Sequence, residues 1–162
     1  MRLLRIVSIA ALAGGLLLGA EGGAGARTSD FSGKWKAELE LSDFGSMTPP
    51  VSLIRTVKQD ALYVTIVAEL ETARGSQTHE LRFTLDGEES VNHVGGTRVT
   101  GLARMLGSHL LLTTTRTVEG KKVVLDELWN LSPDGKTLTV EGLVRTEAGE
   151  EPILVVFKKL ER

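Results

Sequence analysis

The sequence predicts an all-β protein, a single antiparallel up-and-down barrel of about eight to ten strands. Apolar and polar residues alternate with a period of two through most of the chain after position 26, which is typical of strands with one buried face. Gly, Pro, Asp and Ser interrupt that alternation at short, fairly even intervals, as they do at tight turns. Between these turns, no segment shows the apolar repeat of about 3.6 residues that an amphipathic helix requires.

The first 26 residues are predicted to be a signal peptide rather than part of the barrel. Arg2 and Arg5 form a basic start, an apolar run of 15 residues covers positions 6–20, and Ala24-Gly25-Ala26 offers the small residues at which signal peptidase cuts. The run is shorter than the roughly 20 residues that a helix needs to span a bilayer. An uncleaved membrane anchor is the alternative. We therefore expect an exported protein, periplasmic or secreted, whose single domain comprises residues 27–162.

The composition of this predicted mature chain limits its partners and its chemistry. After Arg2, Arg5 and Glu21 leave with the signal peptide, 17 basic and 20 acidic residues remain, and so small an imbalance predicts neither a nucleic-acid nor a membrane-surface partner. The chain has no Cys, which excludes disulfides, thiol nucleophiles and Cys-ligated zinc. We expect a domain that is held together by packing and backbone pairing, with no membrane span after processing.

Individual strands are recognised by the residues that share a face. In the first strand, Trp35 and Ala37 alternate with Lys34 and Lys36. The later stretch 110–118 is rich in Thr and Val, which favour strands over helices. Between positions 91 and 96 the alternation weakens, and we predict no strand there. The nine predicted strands cover residues 34–41, 51–58, 61–71, 77–85, 97–105, 109–118, 121–131, 136–146 and 152–160.

The connections between these strands favour a barrel over a sandwich. Nearly all of them are short enough to be hairpin turns, and Pro133-Asp134-Gly135 is the strongest turn signal among them. A meander of hairpins avoids exposed edges most simply by closing on itself. A β-sandwich is the main alternative, but it usually needs longer crossovers. The connections long enough for a crossover are residues 42–50 and 86–96.

The start of the first strand carries a resemblance to a known family. Asp30-Phe31-Ser32-Gly33-Lys34-Trp35 contains Gly33-x-Trp35, which resembles the glycine-x-tryptophan signature of the lipocalins. Together with the hairpin meander, it makes the chain similar to small secreted lipocalin-like proteins of bacteria, within the calycin-like barrels. The resemblance implies structural roles for Gly33 and for Trp35, which closes one end of the barrel against a late basic residue, Lys158 or Lys159. The chain departs from the family in having no clear second lipocalin motif and no disulfide cysteines.

Motifs of catalysis and of metal or phosphate binding are incomplete in this sequence. Gly135-Lys136-Thr137 imitates the end of a phosphate-binding loop but lacks its upstream Gly and its following helix. His79-Glu80 begins like a zinc-protease motif but lacks the second histidine. A metal or haem site assembled from His79, His93 and His109 is left open as an alternative. We predict no catalytic residue, no metal site and no cofactor.

Polar residues on otherwise apolar strand faces are the candidate ligand site. Burying a charged side chain alone costs several kcal/mol, so such residues must pair with each other, meet water or meet a ligand. An Arg55–Glu127 ion pair, or polar groups at a wet barrel mouth, is the purely structural alternative. The residues predicted to line a ligand cavity are Arg55, His79, Phe83, Glu127 and Trp129.

Three functions are compatible with these features. The leading hypothesis is an exported barrel that binds a small apolar or amphipathic molecule, because a cavity with apolar walls and few polar groups is the general form of such a site. The second is an envelope interaction protein or inhibitor with a filled barrel, which acts through residues 42–50 and 86–96; Phe44 and Met47 suit the first loop to apolar contact. The third is an enzyme that uses Glu127 or His79 as a general acid or base, which ranks last because no nucleophile–base pair is visible.

Overall fold

The computed structural model of the protein describes residues 28–161, and the signal peptide predicted for residues 1–26 lies outside them. A single turn of 3-10 helix, Leu39–Leu41, follows the first strand. The ten strands that the described residues form are β1 Gly33–Ala37, β2 Ser52–Gln59, β3 Tyr63–Thr72, β4 Gly75–Thr84, β5 Ser90–Val94, β6 Thr97–Leu106, β7 His109–Val118, β8 Lys121–Leu131, β9 Thr137–Thr146 and β10 Gly149–Lys159.

All ten strands belong to one antiparallel sheet that curls into a nearly closed barrel. Their order is β4-β3-β2-β1-β10-β9-β8-β7-β6-β5, so the first and last strands of the chain lie side by side in the middle of the wall. The predicted up-and-down barrel is therefore confirmed, and the sandwich alternative is wrong. Along residues 28–161, no helix has the length and apolar character needed to cross a membrane.

The structure has ten strands, one more than the nine segments assigned from the sequence, and its first strand is shorter than predicted. β5 lies where the alternation weakens, because the pairing with β6 turns its polar residues Ser90 and Asn92 inward and leaves Val91 exposed. The reversed pattern hid the strand in the sequence. The first strand ends at Ala37, whereas the alternation continues to Leu41, which is exposed within the 3-10 turn.

One end of the barrel, which we call the closed end, is packed solid. Trp35, Trp129, Phe31 and Phe157 are fully buried there. Phe31 meets the Trp129 ring edge-on at a centroid distance of 6.0 Å, and the Trp35 indole N–H donates a hydrogen bond of 2.9 Å to the Phe31 carbonyl. Burial of side chains of this size stabilises the fold by roughly 1.5–3 kcal/mol each. We call the opposite end, where the hairpin turns β3–β4, β5–β6, β7–β8 and β9–β10 lie, the open end.

The basic residue over Trp35 is Lys159, so the assignment of Lys158 is corrected. Trp35 pairs directly with Lys159 across the sheet, and the Lys159 ammonium lies 5.1 Å from the indole centroid. Lys158, one residue away on the outer face, donates instead to Thr137 Oγ1 at 2.7 Å. Gly33 leaves room for this arrangement: its φ is +148°, and a Cβ there would lie 2.6 Å from Lys159 Cε.

Candidate functional site in the barrel interior

The pairing register places the five residues predicted for the ligand site on the inner face of the barrel. Arg55 pairs with Ala68, and Ala68 pairs with His79 on the next strand. Phe83 follows His79 on the same face of β4, while Glu127 and Trp129 share the inner face of β8. The structure does not bring all five around one cavity, however, because they divide into a packed group and a single residue at the open end.

Arg55 and Glu127 form an ion pair inside the barrel. Arg55 Nη2 donates to Glu127 Oε1 at 3.0 Å, and the two side chains are 16% and 5% exposed. The guanidinium also lies 5.1 Å from the ring centroids of both Trp129 and Phe157, where cation–π attraction contributes. The ion pair that the sequence left open as the structural alternative is therefore present, and it neutralises both charges.

Two N–H donors in the same layer have no partner among the described protein atoms. They are Arg55 Nη1 and Trp129 Nε1, both of which are buried. A buried donor without an acceptor costs roughly 1–3 kcal/mol. A carbonyl, hydroxyl or water oxygen that reached this layer would therefore meet free donors.

Phe83 belongs to the packing of the barrel. Its side chain is fully buried, and its ring lies so close to Gly101 on β6 that a Cβ there would overlap it. The glycine thus gives the ring space to reach past β5 to β6. Phe83 is therefore part of the hydrophobic core.

A cavity of about 310 Å³ lies at the open end and contains His79 in its wall. Leu81, Val94 and Val99 supply apolar surface, while Thr114 and Arg116 supply polar groups. Its volume is at the lower end of the range of about 300–1,000 Å³ that small-molecule sites occupy. Arg116 is exposed, and His79 is half-buried. The arrangement can hold a small molecule with one apolar part and one polar part.

Sequence reasoning missed most of this cavity. Val94 lies on the strand that the alternation did not reveal, so it could not be assigned to a wall. Thr114 and Arg116 lie on the inner face of β7 with Leu110 and Leu112, and the two-residue period alone could have placed them there. The sequence offered no reason to choose them over other inward residues.

Two larger depressions, of about 510 and 550 Å³, lie on the outer wall. Outward residues of β6 and β7 such as Leu102 and Arg104 line the first, which Glu127 also borders. Lys34 and Lys58 line the second. They face solvent on the outside of the sheet. The 310 Å³ cavity, by contrast, lies among inward-facing residues and is the candidate site.

Hydrogen bonds fix the loop at residues 42–50 to the barrel. Asp43 exchanges backbone hydrogen bonds of 2.7 and 2.8 Å with Leu154. Ser46 donates through its backbone N–H and its hydroxyl to Glu151 at 2.6 and 2.5 Å. Phe44 is buried in the core, and Met47 remains 40% exposed. In the second loop of the interaction hypothesis, residues 86–96, the segment Ser90–Val94 forms β5.

The histidines lie on three different strands. His79 faces the cavity, while His93 and His109 are exposed. Among residues 28–161, no three His, Asp or Glu side chains come close enough to hold a metal ion.

Comparison with known proteins shows the fold. No protein-family model and no curated protein matches the chain, but solved structures do. A secretary abundant heat soluble (SAHS) protein from Ramazzottius varieornatus matches with a TM-score of 0.57 and 12% identity over 82% of this chain and 96% of that one. A zebrafish ileal bile acid-binding protein complexed with cholic acid matches with a TM-score of 0.53 and 18% identity over 80% of this chain and 98% of that one. Human cRBP IV matches with a TM-score of 0.50 and 12% identity over 82% of this chain and 99% of that one. Because the identities are this low, these likenesses show the fold alone, which is a calycin-like, lipocalin-like antiparallel barrel.

Proposed function

We propose that this protein binds one small amphipathic molecule in the cavity at the open end of its barrel. The apolar part of the molecule contacts Leu81, Val94 and Val99, and its polar part faces His79 and Arg116. The observation that carries the proposal is the cavity itself, about 310 Å³ of space lined by inward-facing residues at the open end of the barrel. The zebrafish bile acid-binding protein, a barrel of the same fold, is complexed with cholic acid, which supports an amphipathic ligand.

The five residues predicted from the sequence have different roles under this proposal. His79 contacts the ligand. Phe83, Arg55, Glu127 and Trp129 form the packed floor that limits how deeply the ligand enters. Their substitution is expected to change stability more than affinity.

The test is a matched pair of substitutions on β7. Thr114→Trp places an indole in the cavity, whereas Thr115→Trp places it on the outer face, one residue away. The fluorescent amphipath anilinonaphthalene sulfonate (ANS) serves as the probe, with cholic acid as competitor. We expect saturable ANS binding to the parent chain, displacement by cholic acid, and an affinity at least about tenfold lower in Thr114→Trp than in Thr115→Trp, because the indole fills the space the probe needs. Equal affinities for the two variants would refute the site.

We also propose that the protein is exported and that residues 1–26 are removed. The basic start, the short apolar run and Ala24-Gly25-Ala26 support this. Expression of the full chain in a host with a secretory pathway, followed by intact mass measurement, should give a product that begins at Arg27. A product retaining residues 1–26 in the membrane fraction would favour the uncleaved anchor.

A further inference from the structure

The barrel wall contains one junction that differs from all the others. Backbone ladders connect the sheet continuously from β4 around to β5, but within residues 28–161 no ladder joins β4 to β5. Side chains make the connection instead. The Arg82 N–H donates to Asn92 Oδ1 at 2.8 Å, Asn92 Nδ2 donates to the Arg82 carbonyl at 3.0 Å, and the Thr84 N–H donates to Ser90 Oγ at 3.1 Å. We call this junction the seam.

Asn92 takes the place of a peptide group in the seam. Its amide carries one acceptor and one donor in the same plane, as a peptide does, so it satisfies both backbone groups of Arg82 at once. A side chain can rotate away without moving its strand, whereas a ladder bond breaks only when strands separate. The seam is therefore the junction of the barrel that opens with the least rearrangement.

The cavity lies beside the seam, on the open-end side of Asn92. His79 on β4 and Val94 on β5 line it from the two sides of the seam. An open groove of about 390 Å³, formed by Gln77, Thr78, His79, Val94 and Gly95, shares His79 and Val94 with the cavity. His79 and Val94 thus border both the cavity and the groove, and Asn92 is the next inward residue of β5 after Val94.

We propose that the seam is the side opening through which a ligand reaches the cavity, and that the Asn92 amide controls how fast it passes. The inference rests on the proposed binding function. The alternative route is the mouth of the open end, where Thr117, Val118 and Glu119 of the β7–β8 turn also line the cavity. A group that controls passage without contacting the bound ligand changes the association and dissociation rate constants by the same factor. The dissociation constant, which is their ratio, is then unchanged.

Stopped-flow measurement of ANS binding to the mature chain separates the two routes. Asn92→Ala deletes the amide beside the cavity, and Ser90→Ala is the matched control at the turn end of the same seam. Lys121→Trp, opposite Val118 at the start of β8, narrows the mouth and leaves the seam and the cavity wall intact. We expect Asn92→Ala to raise kon and koff by at least about threefold each with the dissociation constant within about twofold of the parent, since gating acts on rates. Ser90→Ala should have a smaller effect, and Lys121→Trp should leave kon unchanged.

Each other outcome is informative. Saturable ANS binding whose rates are unaffected by Asn92→Ala, or a kon that falls severalfold in Lys121→Trp, would overturn the seam and favour the mouth, with the binding function intact. If Asn92→Ala loses the native fold, the Lys121→Trp result still decides between the routes. Absence of saturable ANS binding in the parent chain would overturn both the binding function and the seam.

Discussion

The closed and open ends of the barrel are formed by the same strands, yet one is a solid core and the other contains a cavity. At the closed end, two tryptophans and two phenylalanines fill the space, and each is fully buried. At the open end, the inward positions hold smaller or polar residues such as Val94, Thr114 and His79, which are only partly buried. Alternation decides which side chains point inward. The volume of those side chains decides whether the interior is packed or able to accept a molecule.

The largest expected effect comes from emptying the closed end. Trp35→Ala should lower the free energy of unfolding by about 3–5 kcal/mol, because it removes a fully buried ring and leaves the Phe31 carbonyl without its donor. Leu81→Ala at the open end should cost about 1–2 kcal/mol, since Leu81 is half-buried beside an existing cavity. Urea unfolding of both variants measures the difference. Equal losses would mean that the two ends are packed alike.

The ion pair between the two ends is the next test. Glu127→Ala should destabilise the fold by about 3–5 kcal/mol, because Arg55 would be left buried and unpaired. The double variant Arg55→Met with Glu127→Leu should return to within about 1 kcal/mol of the parent, since neither charge then needs a partner.

The exposed pair Lys34–Glu69, with both side chains 48% exposed, is the control for this measurement. Lys34→Ala should cost about 0–1 kcal/mol. A double variant as unstable as Glu127→Ala, in thermal or urea unfolding, would show that the interior pair has a role beyond charge neutralisation.

A smaller loss in the free energy of unfolding is expected from substitutions at the solvent-exposed edge of the closed end. Lys159→Ala should cost about 0.5–1 kcal/mol through loss of its contact with the Trp35 ring. The neighbouring substitution Lys158→Ala should cost less, because its hydrogen bond to Thr137 is exposed. Chemical denaturation followed by tryptophan fluorescence compares them. A larger loss for Lys158→Ala would contradict the pairing of Trp35 with Lys159.

The smallest effects concern acid stability, which should be governed by the turns of the closed end. The backbone N–H groups of Leu62 and Tyr63 lower the pKa of Asp60, and the Ser132 hydroxyl with the Lys136 N–H lowers the pKa of Asp134. A lowered pKa in the folded state stabilises the fold above the usual pKa, and this stability is lost as the pH falls through the lowered value.

We therefore expect Asp60→Asn and Asp134→Asn to be less stable than the parent at neutral pH. The difference should shrink as the pH falls below about 4. Unfolding measured from neutral to acidic pH provides the test, and the acidic end serves as the internal control. A difference that stays constant with pH would mean that the carboxylate charge does not contribute.

The strands whose alternation is regular were predictable, and those that break it were not. Runs such as 109–118 and 121–131 correspond to β7 and β8 without change. β5 escaped because its inward residues, Ser90 and Asn92, bond to the neighbouring strand rather than pack in the core. In the seam, side-chain hydrogen bonds likewise replace the backbone ladder. The strand whose alternation is irregular is therefore the strand that borders the candidate opening.

The candidate site was predictable only in part. The inward orientation of Arg55, His79 and Glu127 follows from the two-residue period. Their division into a buried ion pair and a cavity residue depends on distances across the barrel, which no local pattern contains. The sequence predicted that either Lys158 or Lys159 packs against Trp35. The register between β1 and β10 pairs Trp35 with Lys159.

The amino-acid sequence by itself determined nine of the ten strands, their buried faces and the up-and-down barrel, because alternation and turn chemistry act over a few neighbouring residues. Only the tertiary structure decided which inward side chains meet, where space is left among them and which junction of the wall lacks a ladder. These features depend on contacts between residues far apart in the chain, such as Arg55 with Glu127, and such contacts exist only once the strands have taken their places around the barrel.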